Sequence, residues 1–134
     1  MSEVILVPVS AGELVDKISI LRIKAARIAD PAKLANVRHE LAALEAVAAT
    51  SVPPSDALSA LEAELRAVNE SLWEVEDDIR AHDARGDFGA GFVRLARAVH
   101  VTNDRRAALK RAVNDLTGSA LVEEKSYRSD AAAP

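Results

Sequence analysis

The chain has 134 residues and a mass of 14.3 kDa, enough for one core and too little for a multidomain enzyme. Its 27 alanines, four aromatics, five Gly and five Pro favour long helices with small side chains between them over an all-β domain, and the lack of Cys removes disulfides, thiol nucleophiles and thiolate metal sites. The net charge of -4 and pI near 5.4 argue against a protein that holds bulk nucleic acid.

The longest apolar run, Val4 to Val9, is far short of the roughly 18 residues of a membrane span. No signal-peptide pattern precedes a cleavage site, so a cytoplasmic location and no membrane partner are expected. The run itself, Val4-Ile-Leu-Val-Pro-Val9, is β-branched and interrupted by Pro8, and reads as a short strand. Ser10-Ala-Gly-Glu13 follows with the capping-box pattern, Val9 and Leu14 being placed to staple across it. The first helix therefore starts at Ser10. Its apolar stripe is Leu14, Ile18, Leu21, Ala25 and Ile28, while Ile20 and Ile23 fall on another side, so this helix is expected to be covered on more than one face.

Asp30-Pro31 is a cap followed by proline at the first helical position, and starts a second helix with Leu34, Val37, Leu41 and Leu44. That helix fades into Ala48-Ala-Thr-Ser-Val-Pro-Pro-Ser55, which reads as the linker. The third helix runs from Ser55 or Asp56 to about His82. Its seam of Leu58, Leu61, Leu65, Val68, Leu72, Val75 and Ile79 alternates spacings of three and four, as in a coiled coil. Asp83 to Gly89 forms a turn in which Asp87 can cap the fourth helix. The fourth seam reads Phe92, Leu95, Val99, Thr102, Arg106, Leu109, Val113 and Leu116, and Gly118 stands where a left-handed terminal residue belongs. Ala120 to Tyr127 reads as a second short strand.

The expected fold is mainly α: four helices, the last two a long antiparallel helical hairpin, with short N- and C-terminal β-strands able to pair. Residues 1–127 form one helical domain and 128–134 a flexible tail. A two-stranded sheet is marginal alone and leaves edges open, so a homodimer is expected to cover it. The two long helices differ in sign. From Ser55 to Asp83 nine acids oppose two bases, and from Arg94 to Arg111 six bases oppose one acid, so the helices should attract along their flanks.

Two polar stripes carry the candidate chemistry. On the third helix Asn69, Trp73, Glu76 and Arg80 lie beside the seam. In a structural reading Trp73 fills a gap and Glu76 pairs with Arg80; in a ligand reading they form a pocket wall with a flat apolar face and a carboxylate. On the fourth helix Asn103, Arg106 and Lys110 share a face, and Arg106 sits at a seam position where burial requires a partner. Glu76 or Asp77 is the partner the hairpin geometry suggests. Otherwise Arg106 forks onto a phosphate or carboxylate, with Lys110 adding charge. Lys24 and the N-terminus of the first helix join this anion site if the three faces converge.

Glu70, Glu74 and Asp77 share a face, as in all-α Mg2+-dependent nucleotide pyrophosphohydrolases, but such a site needs a second acidic set and the neighbouring helix is basic. His39, His82 and His100 lie on separate elements, without zinc-site spacing. No phosphate loop, nucleophile elbow or dinucleotide fingerprint is present, and the basic patch around Arg105 and Arg111 lacks interleaved aromatics. Neither a metal, a cofactor nor nucleic acid is expected.

Four blocks, Ile5 to Lys24, Asn69 to Arg80, Phe92 to Asn114 and Glu123 to Tyr127, resemble a family of short, mainly helical bacterial proteins of unknown function. Within the blocks lie the candidate ligand residues Lys24, Asn69, Trp73, Glu76, Asn103, Arg106 and Lys110, and the supporting candidates Glu13, Asp16, Lys17, Arg80 and Asp104. The resemblance transfers no activity and leaves the Ala-rich linker and the tail outside its blocks. Its relatives' association with glycosyltransferase-like proteins implies a glycan-related setting. The expected function is an accessory, non-catalytic module binding a phosphorylated sugar or nucleotide-sugar. The alternatives are a homo-oligomeric interaction protein without a ligand and a Mg2+-dependent hydrolase.

Overall fold

The computed structural model describes residues 4–121 and 123–126. Its four helices are α1 (Ala11–Arg27), α2 (Pro31–Ser51), α3 (Asp56–Arg85) and α4 (Ala90–Thr117). None is long and apolar enough to cross a membrane. Local chemistry sets their ends. Ser10, Asp30 and Ser55 each accept a hydrogen bond from the backbone N–H three residues on, at 3.0 to 3.1 Å, satisfying donors that the helix itself cannot. α3 and α4 stop at Gly86 and Gly118, both at φ 67°, a left-handed conformation that costs an L-residue roughly 1–2 kcal/mol. The start of α4 differs from expectation: Gly89 is the cap, with no side-chain bond, and Asp87 accepts from the Gly89 N–H instead.

α3 and α4 form the hairpin, and α1 packs against α2, α3 and α4 alike. Coverage of α1 on several faces is seen in the burial of Leu14, Val15, Ile18, Leu21 and Ile23. The core joins Leu14, Val15 and Ile18 to Leu58, Leu65 and Val68 of α3 and to Leu109 and Val113 of α4. Further out along the hairpin, Val75, Ile79, Phe92, Leu95 and Val99 are only half-buried. The reason is length: 30 residues of α3 span about 45 Å and the 17 of α1 about 25 Å, so α1 covers one end. Leu116, expected in the seam, is 45 % exposed.

Neither expected strand forms among the described residues. Val4 to Val9 stays exposed, Leu6 at 88 %; β-branched residues favour an extended backbone, but a strand also requires a partner's hydrogen bonds. The expected partner takes another course. Glu123, Glu124 and Lys125 form ion pairs with Lys110, Arg111 and Asp104, laying this segment back along α4. Val122, Tyr127 and the expected tail at 128–134 lie outside the described residues. Of the two residues expected to staple the first helix, Leu14 is buried and Val9 is 46 % exposed. The first half of the expected linker is helix, since Ala-rich α2 continues to Ser51 and Val52 to Ser55 connect it to α3. Pro53 and Pro54, which have no N–H to donate, end it there.

The opposite charges of α3 and α4 meet across the hairpin at one ion pair among the described residues, Arg105 with Glu64 at 3.9 Å. α1 pairs with both long helices. Its Arg22 and Arg27 bind Glu62 and Glu74 of α3, and its Glu13 and Asp16 bind Lys110 and Arg106 of α4. A helix with acids in its first half and arginines in its second thus sits between an acidic helix and a basic one.

Candidate functional site

α1 is fastened to α4 at its first turn. The backbone N–H groups of Ala11, Gly12 and Glu13 donate to Ser119 Oγ at 3.2 Å, Asn114 Oδ1 at 2.7 Å and Ser10 Oγ at 3.1 Å. A Cβ on Gly12 would stand 2.2 Å from the Lys110 carbonyl oxygen, so only glycine permits this approach. The N-terminus expected to attract an outside anion is therefore occupied by the chain's own oxygens. The capping box is half made, because the Glu13 carboxylate turns to Lys110 rather than to the Ser10 N–H.

One turn further on, Asp16 is wholly buried. Its carboxylate accepts from Asn69 Nδ2 of α3 at 3.0 Å and from Arg106 Nε of α4 at 3.0 and 3.1 Å, and it also holds Arg106 Nη2. Asn69 Nδ2 lies 3.3 Å from Ser19 Oγ as well. The partner of Arg106 is thus Asp16 and not Glu76 or Asp77: α1 fills the groove between the long helices and presents its carboxylate from inside. The bond to Asp16 outweighs desolvation and raises the guanidinium pKa above its ordinary value, and a charge-assisted fork of this kind fixes orientation as well as energy.

Next to it on α4, Lys110 Nζ contacts Glu13 at 2.7 Å and Glu123 at 2.6 Å. Burial pulls the ammonium pKa down, but bonds from both carboxylates more than compensate and leave it raised. The same bond, against a smaller desolvation effect, lowers Glu123 below the usual carboxylate value.

Two cavities adjoin this network. A cleft of about 440 Å³ has Ile20 and Ile23 of α1 beside Leu72 and Trp73 of α3, with Asn69, Glu76 and Asp77 on the α3 side and Asn103 and Arg106 on the α4 side. A smaller cavity of about 210 Å³ lies between α4 and the returning C-terminal segment, lined by Asn103, Arg106, Ala107, Lys110, Glu123 and Lys125. Asn103 and Arg106 line both. Arg106 uses Nε and Nη2 on Asp16; no hydrogen bond among the described residues involves its Nη1.

Of the candidates read from sequence, Asn69, Trp73, Glu76, Asn103, Arg106 and Lys110 therefore gather around these two cavities, supported by Glu13 and Asp16. Asp104 stands at their edge, paired with Lys125. Lys24 and Lys17 do not join them: neither lines either of these two cavities or makes an ion pair among the described residues. The expected Glu76–Arg80 pair is absent among those residues, and Trp73 is half-buried with the Arg27 guanidinium 5.7 Å from its ring centre. Ser19, Asn114, Glu123 and Lys125 escaped notice in the sequence. The signal for Ser19 is a hydroxyl on the same buried face as Ile18; Asn114 follows Val113 of the seam with nothing local to mark its bond to Gly12.

Two of the three α3 acids considered for a metal are engaged elsewhere, Glu70 with Arg66 and Glu74 with Arg27, while the third, Asp77, lines the cleft. Among the described residues no group of three or more His, Asp or Glu is arranged to hold an ion.

No curated protein and no solved structure matches the chain. A family model does, over residues 5–134. The match runs through Ala48 to Ser55 and to the last residue, correcting the expectation that the linker and tail stand outside the resemblance. The chain belongs to this family, a family of unknown function (DUF6165).

Proposed function

We propose that the protein is a non-catalytic binding module for a small phosphorylated molecule of about sugar size, seated across Arg106 with its phosphate toward Lys110 and Lys125 and its ring in the cleft beside Trp73. The observation that carries this reading is the shared wall. Arg106 is held in place by a buried carboxylate, keeps one terminal nitrogen outside that pairing, and borders both a cavity lined by lysines and one with an apolar, aromatic side. Preorganisation of this kind lowers the entropy cost of binding, and cleft size fits small-molecule sites. Lys110 already carries a carboxylate from the C-terminal segment, so the cationic end accepts an anionic group; a ligand phosphate would exchange with Glu123. A phosphorylated sugar fits a glycan-related setting.

Titration calorimetry of the full chain against a panel of sugar phosphates tests the reading. Binding is expected in the wild type, weakened about tenfold or more in Asn103→Ala and Arg106→Lys and strengthened in Glu123→Ala, from loss or exposure of charge-assisted bonds. Silence of both wild type and Glu123→Ala across the panel would sink it.

A second reading, a homo-oligomeric interaction protein, is favoured by one observation. Val4, Ile5, Leu6, Val7 and Val9 are all exposed, and an extended apolar segment is a template for pairing with the same segment of a second copy.

A further inference from the structure

Resting on the reading of the cleft as a ligand site, we infer that its ligand carries an amine opposite its phosphate, as an amino-sugar phosphate does. The cleft is dipolar. Arg106 stands on the α4 side, Glu76 and Asp77 on the α3 side, and Trp73 and Leu72 lie beside them. The other α3 glutamates near α1 are matched: Glu62 by Arg22, Glu70 by Arg66 and Glu74 by Arg27. Glu76 and Asp77 make no ion pair or hydrogen bond among the described residues, although Arg80 lies four and three positions on in the same helix.

These two carboxylates set the ligand's charge pattern. A ligand that lies against them displaces their water, and hydroxyl groups return less than an ammonium does, because the bond to a charged donor is the stronger one. A second phosphate in the same place meets like charge. Beside them the Trp73 face is a surface to which a cation is also drawn, as the Arg27 guanidinium shows at 5.7 Å. A monophosphate with a cationic amine at its other end satisfies both walls. A nucleoside diphosphate sugar, with two phosphates and no cationic ammonium, does not.

The test is calorimetry on the full chain with three matched probes: glucosamine 6-phosphate, its N-acetyl form and glucose 6-phosphate. The amine is expected to bind about tenfold more tightly than the other two, and Glu76→Gln/Asp77→Asn to remove that preference, the affinity ratio falling to about one. Both substitutions are at exposed positions, and circular dichroism reports that the fold is kept. If all three probes bind within about threefold of one another, the amine assignment is overturned while the phosphate site stands. If none binds, the ligand reading and this inference fall together. A preference for the amine that survives the double substitution also overturns it, by moving the amine away from Glu76 and Asp77.

Discussion

Asp16 holds three helices at a point, because its one carboxylate accepts from Asn69 and Arg106 while being closed to water. Removing one member of a buried pair leaves the other charge uncompensated, at a cost of roughly 3–5 kcal/mol, whereas replacing both with apolar side chains is often neutral or stabilising. Asp16→Ala is accordingly expected to lower the urea midpoint strongly, and Asp16→Leu/Arg106→Leu to restore most of it while abolishing ligand binding. A double variant that kept full binding would show Arg106 to be structural only. Gly12→Ala is expected to cost about 2–3 kcal/mol by overpacking, because its Cβ meets the Lys110 carbonyl, a backbone atom that cannot swing aside. A midpoint close to wild type in urea would contradict that contact.

The Glu123–Lys110 pair adds a pH dependence at the same scale. A carboxylate whose folded pKa is depressed contributes stability above its unfolded pKa and loses it as pH falls through the folded value; a lysine whose pKa is raised loses its contribution as pH rises through the folded one. With Glu123 lowered by its bond to Lys110 and Lys110 raised, both contributions are present at neutral pH. Urea midpoints measured from pH 7 downward should therefore separate wild type from Glu123→Gln near neutrality and converge below the ordinary carboxylate range. A gap that stays constant with acidification would remove the pair from the account. The residues that gather at the site were legible because stripes at spacings of three and four put Asn103, Arg106 and Lys110 on one face. Which carboxylate Arg106 would meet was not, since that depends on a third helix entering the groove.

Among the elements, the caps were readable for a local reason: Ser10, Asp30 and Ser55 each satisfy a donor three residues away, an interaction contained in a single turn. The strands were not, because extended propensity in Val4 to Val9 says nothing about a pairing partner. α2 is the outlying element. It packs against α1, and none of its residues is buried. Opening free energy follows buried contact, so native-state hydrogen exchange is expected to be faster along α2 than at the α1–α3–α4 end around Leu65 and Val113. Equal protection in the two regions would count against this layering.

Over the whole molecule, charge is organised by α1 rather than by the hairpin, and the core is one-ended, with about 20 Å of hairpin reaching past α1. The exposed Val4–Val9 segment bears on oligomeric state. If it pairs copies, light scattering at micromolar protein should give twice 14.3 kDa, and Ile5→Ser/Val7→Ser should return the single-chain mass; a single-chain mass for the unaltered protein sinks the second reading. By itself the sequence determined four helices, the N-terminal caps of three of them, the glycine that ends the fourth and which polar residues share a face, because these follow from interactions within a few residues. Only the tertiary structure decided that Asp16 is the partner of Arg106, that the first turn of α1 is closed by Asn114 and Ser119, and that Glu123 reaches Lys110. Each of these joins groups distant along the chain or held on separate elements, and their meeting depends on how α1 seats between two helices of opposite charge.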